Sequence, residues 1–175
     1  MILDLFIYFA FYLLVFLSTY SYGFLLRKFF FKYEISSNEN EFLNVFFGLG
    51  FFLIFSWIYY FSGLKNEWFN LAIFIIGGII FFIKEVRPRN LFFFIILPVI
   101  LFSGLLIFQG HNDFHLYHFQ NIIELTNDKS IIGIGNLSVK YIYNSLYVYF
   151  ESILSVPNYN FEFLNIPRFL GFVLC

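Results

Sequence analysis

Along the first 108 positions, apolar residues gather in four long blocks, and the charged residues fall almost entirely between them. The first block runs from about Ile2 to Leu26 and stops at Arg27 and Lys28. A polar stretch, Lys32 to Glu41, leads to a second block from about Phe42 to Ser62. Gly63 to Glu67 forms a short link to a third block, Trp68 to Ile83, and the cluster from Lys84 to Arg89 separates it from a fourth, Leu91 to Phe108. Continuous apolar runs of this length, without two-residue alternation, predict helices that are apolar on every face. A helix rises about 1.5 Å per residue and the hydrocarbon core of a bilayer is about 30 Å thick, so blocks near 20 residues predict membrane spans. The second block carries thirteen Phe, Leu, Ile and Val residues. On an insertion scale these contribute roughly −4 to −8 kcal/mol together, enough to offset Asn44 near the edge. The third is short and calls for Lys65 and Lys84 snorkelling at its ends. Pro98, in the middle of the fourth, removes one backbone hydrogen bond and predicts a kink.

Beyond Phe108 the pattern changes. From Gln109 to about Phe163 the chain is more polar and holds all three histidines. A new apolar run starts near Leu164 and reaches Cys175, which is short for a span. The expected fold is therefore all-α and transmembrane. Residues 1–108 supply four membrane-spanning helices (about 2–26, 42–62, 68–83 and 91–108), residues 109–163 a periplasmic segment with two amphipathic interfacial helices, and residues 164–175 the start of a fifth span. The run ending at Cys175 carries the expectation that the chain is the N-terminal part of a longer protein and, alone, does not turn over substrate.

Composition strengthens the membrane reading. Of 175 residues 61% are hydrophobic and 12% charged, about half the charge of an ordinary soluble domain. The 31 Phe and 13 Tyr fit a genome rich in A and T, so no stacking ligand is read from them. The net charge of −1 gives no footprint for nucleic acid, and the expected partner is the lipid bilayer. Cys175 is the lone cysteine, which excludes an internal disulfide framework or a CxxC metal pair. The N-terminus has no basic region, carries Asp4 and has too long an apolar run for a cleavable signal peptide.

Basic residues set the orientation. Arg27, Lys28, Lys32, Lys84, Arg87 and Arg89 fall on one side of the predicted membrane, and Lys65 falls in the short loop opposite, together with Lys129 and Lys140 of the long segment. The basic side is expected to be cytoplasmic, in a bacterial inner membrane, with the N-terminus and residues 109–163 periplasmic.

Candidate chemistry is confined to that periplasmic segment. From His115 to Thr126, Leu116, Phe119, Ile122 and Ile123 recur at helical spacing, while Asp113, Tyr117, Gln120 and Glu124 share another face. A carboxylate held beside hydrogen-bonding neighbours on a rigid element suits general-base work; spacing alone favours a helix N-cap for Asp113, and one residue can do both. His111, His115 and His118 also lie four and three apart, but no HExxH arrangement accompanies them, and no metal site is assigned. Gly133-Ile134-Gly135-Asn136 predicts a tight turn and lacks the context of a phosphate loop. Tyr141 to Ser155 predicts a helix whose polar stripe, Asn144, Ser145, Glu151, Ser152 and Ser155, suits a helix lying on the bilayer.

Asp113-x-x-Leu116-Tyr117-His118-x-Gln120, followed by Gly133-Ile134-Gly135-Asn136-Leu137 and Tyr143-Asn144-Ser145, resembles the most recognisable stretch of a family of bacterial multi-pass proteins similar to the GT-C class of glycosyltransferases. That family shows an aspartate followed by Gly-Leu-Tyr-His-x-Gln, then Gly-x-x-Asn-Leu-His-Gly-Arg and Phe-Asn-Ser. The chain departs from it at His115 and at Ser138-Val139-Lys140, where Lys140 keeps the positive charge of an arginine without its bidentate fork. The resemblance covers about 113–145 at motif level and is topological elsewhere. It implies a membrane enzyme that moves a sugar from a polyprenyl-phosphate donor to an envelope acceptor. On that reading Asp113 is the base or the holder of a divalent cation, Tyr117, His118 and Gln120 orient it, and Asn136 and Lys140 contact the donor. A developing alkoxide and a phosphate leaving group need one base and one positive charge or metal. Two other readings remain open: a non-enzymatic multi-pass scaffold, and a fragment of a transporter or of a polysaccharide flippase or polymerase.

Overall fold

The structure, a computed structural model, describes residues 2–31, 40–64, 66–83, 91–107, 122–123, 126, 146–159 and 166. These residues form helices, turns and one isolated β-bridge. The helices are α1 (Ile2–Phe30), α2 (Asn40–Phe61), α3 (Glu67–Phe81), α4 (Leu91–Ile107) and α5 (Leu146–Ser152).

Helix α1 continues one turn past the predicted stop at Leu26, with Arg27 and Lys28 in its last turn. Cations there interact favourably with the negative end of the helix dipole, so they extend the helix rather than end it. The α2–α3 turn is built from polar side chains and one glycine. Gly63 adopts φ +70°, a conformation open to glycine at little cost. Asn66 caps α3, its Oδ1 accepting from the amides of Trp68 at 2.9 Å and Phe69 at 3.4 Å. The Tyr59 hydroxyl clamps the turn from α2, accepting from the Asn66 amide at 2.9 Å and donating to the Asn66 carbonyl at 3.4 Å. Helix α4 runs through Pro98.

Helix α1 is the axis of the bundle. Thr19 and Gly23 meet Gly48 and Asn44, so α1 and α2 are antiparallel. Tyr8 and Phe9 pack on Phe102, and Phe16 and Tyr20 on Phe94, so α1 and α4 are antiparallel too. Phe11 on Phe74 and Tyr20 on Phe81 run α3 parallel to α1. The four helices thus alternate in direction.

At the α1–α2 seam a Cβ on Gly23 would overlap the carbonyl of Asn44, and a Cβ on Gly48 would overlap that of Thr19. Residues 19 and 23 on one helix and 44 and 48 on the other form a small-residue strip four apart, and their backbones touch. Small residues at such a seam let two helix backbones approach closely. On its other face α1 presents Ser18 and Tyr22 to α3: the Ser18 hydroxyl lies 2.6 Å from the carbonyls of both Leu14 and Phe74, and the Tyr22 hydroxyl donates to the Ile73 carbonyl at 2.9 Å. Gly77 sits against the Ser18 Cβ.

The core is apolar, but the exterior is apolar too, unlike that of a water-soluble bundle. Ser18, Thr19, Ser21, Asn44, Ser56 and Asn70 are buried, while Ile54, Trp57, Ile58, Ile76, Ile79 and Ile100 are exposed. Two helices, over Leu3–Phe30 and Glu41–Phe61, are long and apolar enough to cross a membrane. Helices α3 and α4 have 15 and 17 residues, or about 22 and 25 Å.

The segment 146–159 differs from its sequence expectation. A helix on the bilayer surface would turn Glu151, Ser152 and Ser155 to water, but all three are buried. Helix α5 ends at Ser152, three residues short of the predicted end, and the chain then turns at Pro157–Asn158. Asn158 has φ +70° and the Tyr159 amide donates to the Val156 carbonyl at 3.0 Å. Proline followed by asparagine with positive φ is a type II turn pattern. The physical reason for the burial is a set of partners on α2 and α3 that the linear pattern does not reveal.

Candidate functional site

The predicted site residues Asp113, Tyr117, His118, Gln120, Asn136 and Lys140 lie outside the described residues, as do His111, His115, Lys65 and Lys84. Of the predicted helix 115–126, Ile122, Ile123 and Thr126 are described and helical. The Thr126 hydroxyl donates to the Ile122 carbonyl at 2.8 Å, and Ile122 is buried.

Among the described residues, the polar groups of most chemical interest meet where α2 and α3 join and 146–159 covers them. Phe150 begins the contact. Its ring stacks on Phe52 at 5.2 Å and 3°, and Phe52 also touches Tyr22 of α1 and Phe74 of α3. One phenylalanine therefore joins four elements. Tyr149 packs on Tyr60 at 5.1 Å and on Phe61. With the aromatics seated, the backbone after α5 falls against the first turn of α3. The Asn70 Nδ2 donates to the Ser155 carbonyl at 3.0 Å, and the Ser155 hydroxyl lies 3.3 Å from Glu67 Oε1. The Ser152 hydroxyl donates to the Tyr149 carbonyl at 2.7 Å.

Glu151, on the same short helix, is 1% exposed. Asn70 is 6% exposed and its Oδ1 has no hydrogen-bond partner among the described residues. Burying such an acceptor unsatisfied costs about 1–3 kcal/mol. Two more buried oxygens share that state, Asn44 Oδ1 and the Tyr12 hydroxyl. The junction thus brings the Glu67 carboxylate, the Asn70 amide and the Ser155 hydroxyl and carbonyl together beside the aromatic contacts. Chemically, the unsatisfied Asn70 Oδ1 suits a hydrogen-bond donor. No three of His, Cys, Asp and Glu gather as a metal cluster among the described residues.

Sequence reasoning placed Glu151 and Ser155 on an outer stripe and passed over Asn70. One signal was available: an amide inside an apolar block, or a carboxylate inside an aromatic one, is expensive in a bilayer unless it faces the protein interior. Asn44, Asn70 and Glu151 all fit that description.

No protein-family model, no curated protein and no solved structure matches the chain.

Proposed function

We propose that this protein is a multi-pass inner-membrane protein whose helices α1 to α4 all cross the bilayer, and that it is, or is part of, a GT-C-like glycosyltransferase using a polyprenyl-phosphate sugar donor for envelope glycan synthesis. The apolar exterior supports the membrane half of this reading, because large apolar side chains project from α2, α3 and α4. Alternating helix directions suit successive crossings, and the short α3 and α4 suit a bilayer thinned locally around them.

The observation that carries the enzymatic half is the ordered motif series, Asp113 to Gln120, Gly133 to Leu137 and Tyr143 to Ser145, placed directly after the fourth apolar block. Asp113 acts as base, or as ligand to a divalent cation, toward the acceptor hydroxyl. Tyr117, His118 and Gln120 hold it in place, and Asn136 and Lys140 receive the donor phosphate. With the basic clusters cytoplasmic, this segment faces the periplasm.

The test replaces Asp113 with Asn at the gene's own locus and follows transfer of radiolabelled sugar from polyprenyl phosphate to envelope glycan in membranes. Loss of a general base should lower the rate at least about 100-fold. Unchanged transfer sinks the assignment. For orientation, a periplasm-only reporter fused after Asn127 should be active and one after Asn38 silent; the reverse places the site in the wrong compartment.

One observation favours a transporter or flippase instead: a carboxylate, Glu151, buried on a short helix packed on the bundle. Transporters place ionisable groups and broken helices there. Transfer that survives Asp113→Asn but fails in Glu151→Gln would select it.

A further inference from the structure

We propose that residues 146–159 form a re-entrant segment, a short helix and tight turn that enter the bundle below the headgroups from the end where α2 and α3 join, and then turn back. The inference rests on the membrane reading above and adds a fifth membrane-embedded element, one that does not cross.

Depth comes from the ring contacts. Phe150 stacks on Phe52, nine residues before the end of α2 at Phe61, a separation of about 13 Å along the helix. Tyr149 packs on Tyr60 and Phe61, so α5 lies alongside the last turns of α2 rather than above them. Its seven residues extend about 10 Å and fall short of a 30 Å core. From its deepest contact at Phe150 the chain is back beside Glu67 and Asn70, in the first turn of α3, by Ser155, and the turn at Pro157–Asn158, where Val156 and Tyr159 pair, follows that return.

Non-helical backbone survives at membrane depth where protein buries it and satisfies its polar groups. Residues 148–156 are all buried. The Leu154 amide donates to the Glu151 carbonyl at 3.1 Å, the Ser155 amide to that of Ser152 at 3.4 Å, and Asn70 caps the Ser155 carbonyl from α3. An amide in the first turn of a span thereby serves the non-helical backbone beside it. At the outer face of α5, Leu146 and Tyr147 are 44% and 37% exposed, as lipid-facing positions would be. Glu151, the residue after Phe150, is buried on this segment at 1% exposure.

The full chain, carrying Cys175→Ser, is reconstituted in phosphatidylcholine vesicles with a bimane fluorophore at one cysteine: Ile54→Cys on mid-α2, Leu146→Cys, or Tyr147→Cys as a second variant. Spin-labelled phospholipids then quench either from the acyl chain or from the headgroup. Acyl-chain label should extinguish fluorescence at Ile54 and at both α5 positions, with headgroup label weaker at all three. Stronger quenching of both α5 positions by the headgroup label, with Ile54 still quenched from the acyl chain, overturns the re-entrant segment and leaves the spans standing. Failure of the acyl-chain label to quench Ile54 overturns the membrane reading and the inference with it.

Discussion

The α1–α2 seam and the α2–α3 junction under α5 hold helices together by opposite means. At the seam, contact is made by what is missing: Gly23 and Gly48 carry no Cβ, and the carbonyls of Asn44 and Thr19 occupy that space. At the junction, contact is made by what is present: the Phe150 ring on Phe52, the Tyr149 ring on Tyr60 and an amide from Asn70. A seam of backbone against backbone fixes the distance and register of two helices and tolerates no added atom. A junction of rings and hydrogen bonds can lose one member and keep the rest. The first suits a permanent frame, and the second suits an element that is packed after the frame exists.

The largest effect should come from breaking the seam. Gly48→Leu drives a side chain into the Thr19 backbone, which cannot step aside as a side chain would, so the loss should exceed the ~3 kcal/mol at the top of ordinary overpacking. In detergent the variant should lose its monodisperse size-exclusion peak. Gly50→Ala, two residues away with nothing within 4 Å of the added Cβ, should leave the peak and the melting temperature essentially unchanged. Equal damage from both would mean that α2 resists any change at glycine, and the seam would lose its special place.

A smaller, more local effect is expected at the junction. Phe150→Ala empties the space beside Phe52, and cavities of that kind cost about 3 kcal/mol. Limited proteolysis should show cleavage within 146–159 while α1 to α3 stay resistant; loss of the whole bundle at once would show that the two regions are not separable.

Smallest is Asn70→Leu. It leaves the Ser155 carbonyl without its donor and removes the unsatisfied Asn70 Oδ1, so the two terms oppose and a net loss of about 1 kcal/mol is expected. Thermal melting in detergent checks it. A loss as large as that of Phe150→Ala would make the hydrogen bond, not the ring, the main tie.

Much of the helical outline was legible because length and apolar content alone set it: 29 and 22 residues of apolar helix have few other fates. The α2–α3 turn was legible in outline too, from Gly63 and the polar residues around it. The interior was less so. Thr19, Gly23, Asn44 and Gly48 are ordinary small and polar residues until two helices meet, since the strip exists only as a pair. Glu151, Ser152 and Ser155 formed a plausible water-facing stripe because periodicity reports that residues share a face and not what that face meets. The candidate catalytic residues from Asp113 to Lys140 rest on the motif series, and the junction around Asn70 came from the fold.

The sequence by itself determined that this chain is built of apolar helices punctuated by basic clusters, because burying a backbone in apolar surroundings leaves helix as the economical way to satisfy every N–H and C=O. Only the tertiary structure decided which polar residues lie inside, which glycines touch a neighbour's backbone, and that 146–159 packs against α2 and α3. Those depend on contacts between residues as far apart as Asn70 and Ser155, and a side chain's partner across such a distance is set by how whole helices pack, which local pattern does not encode.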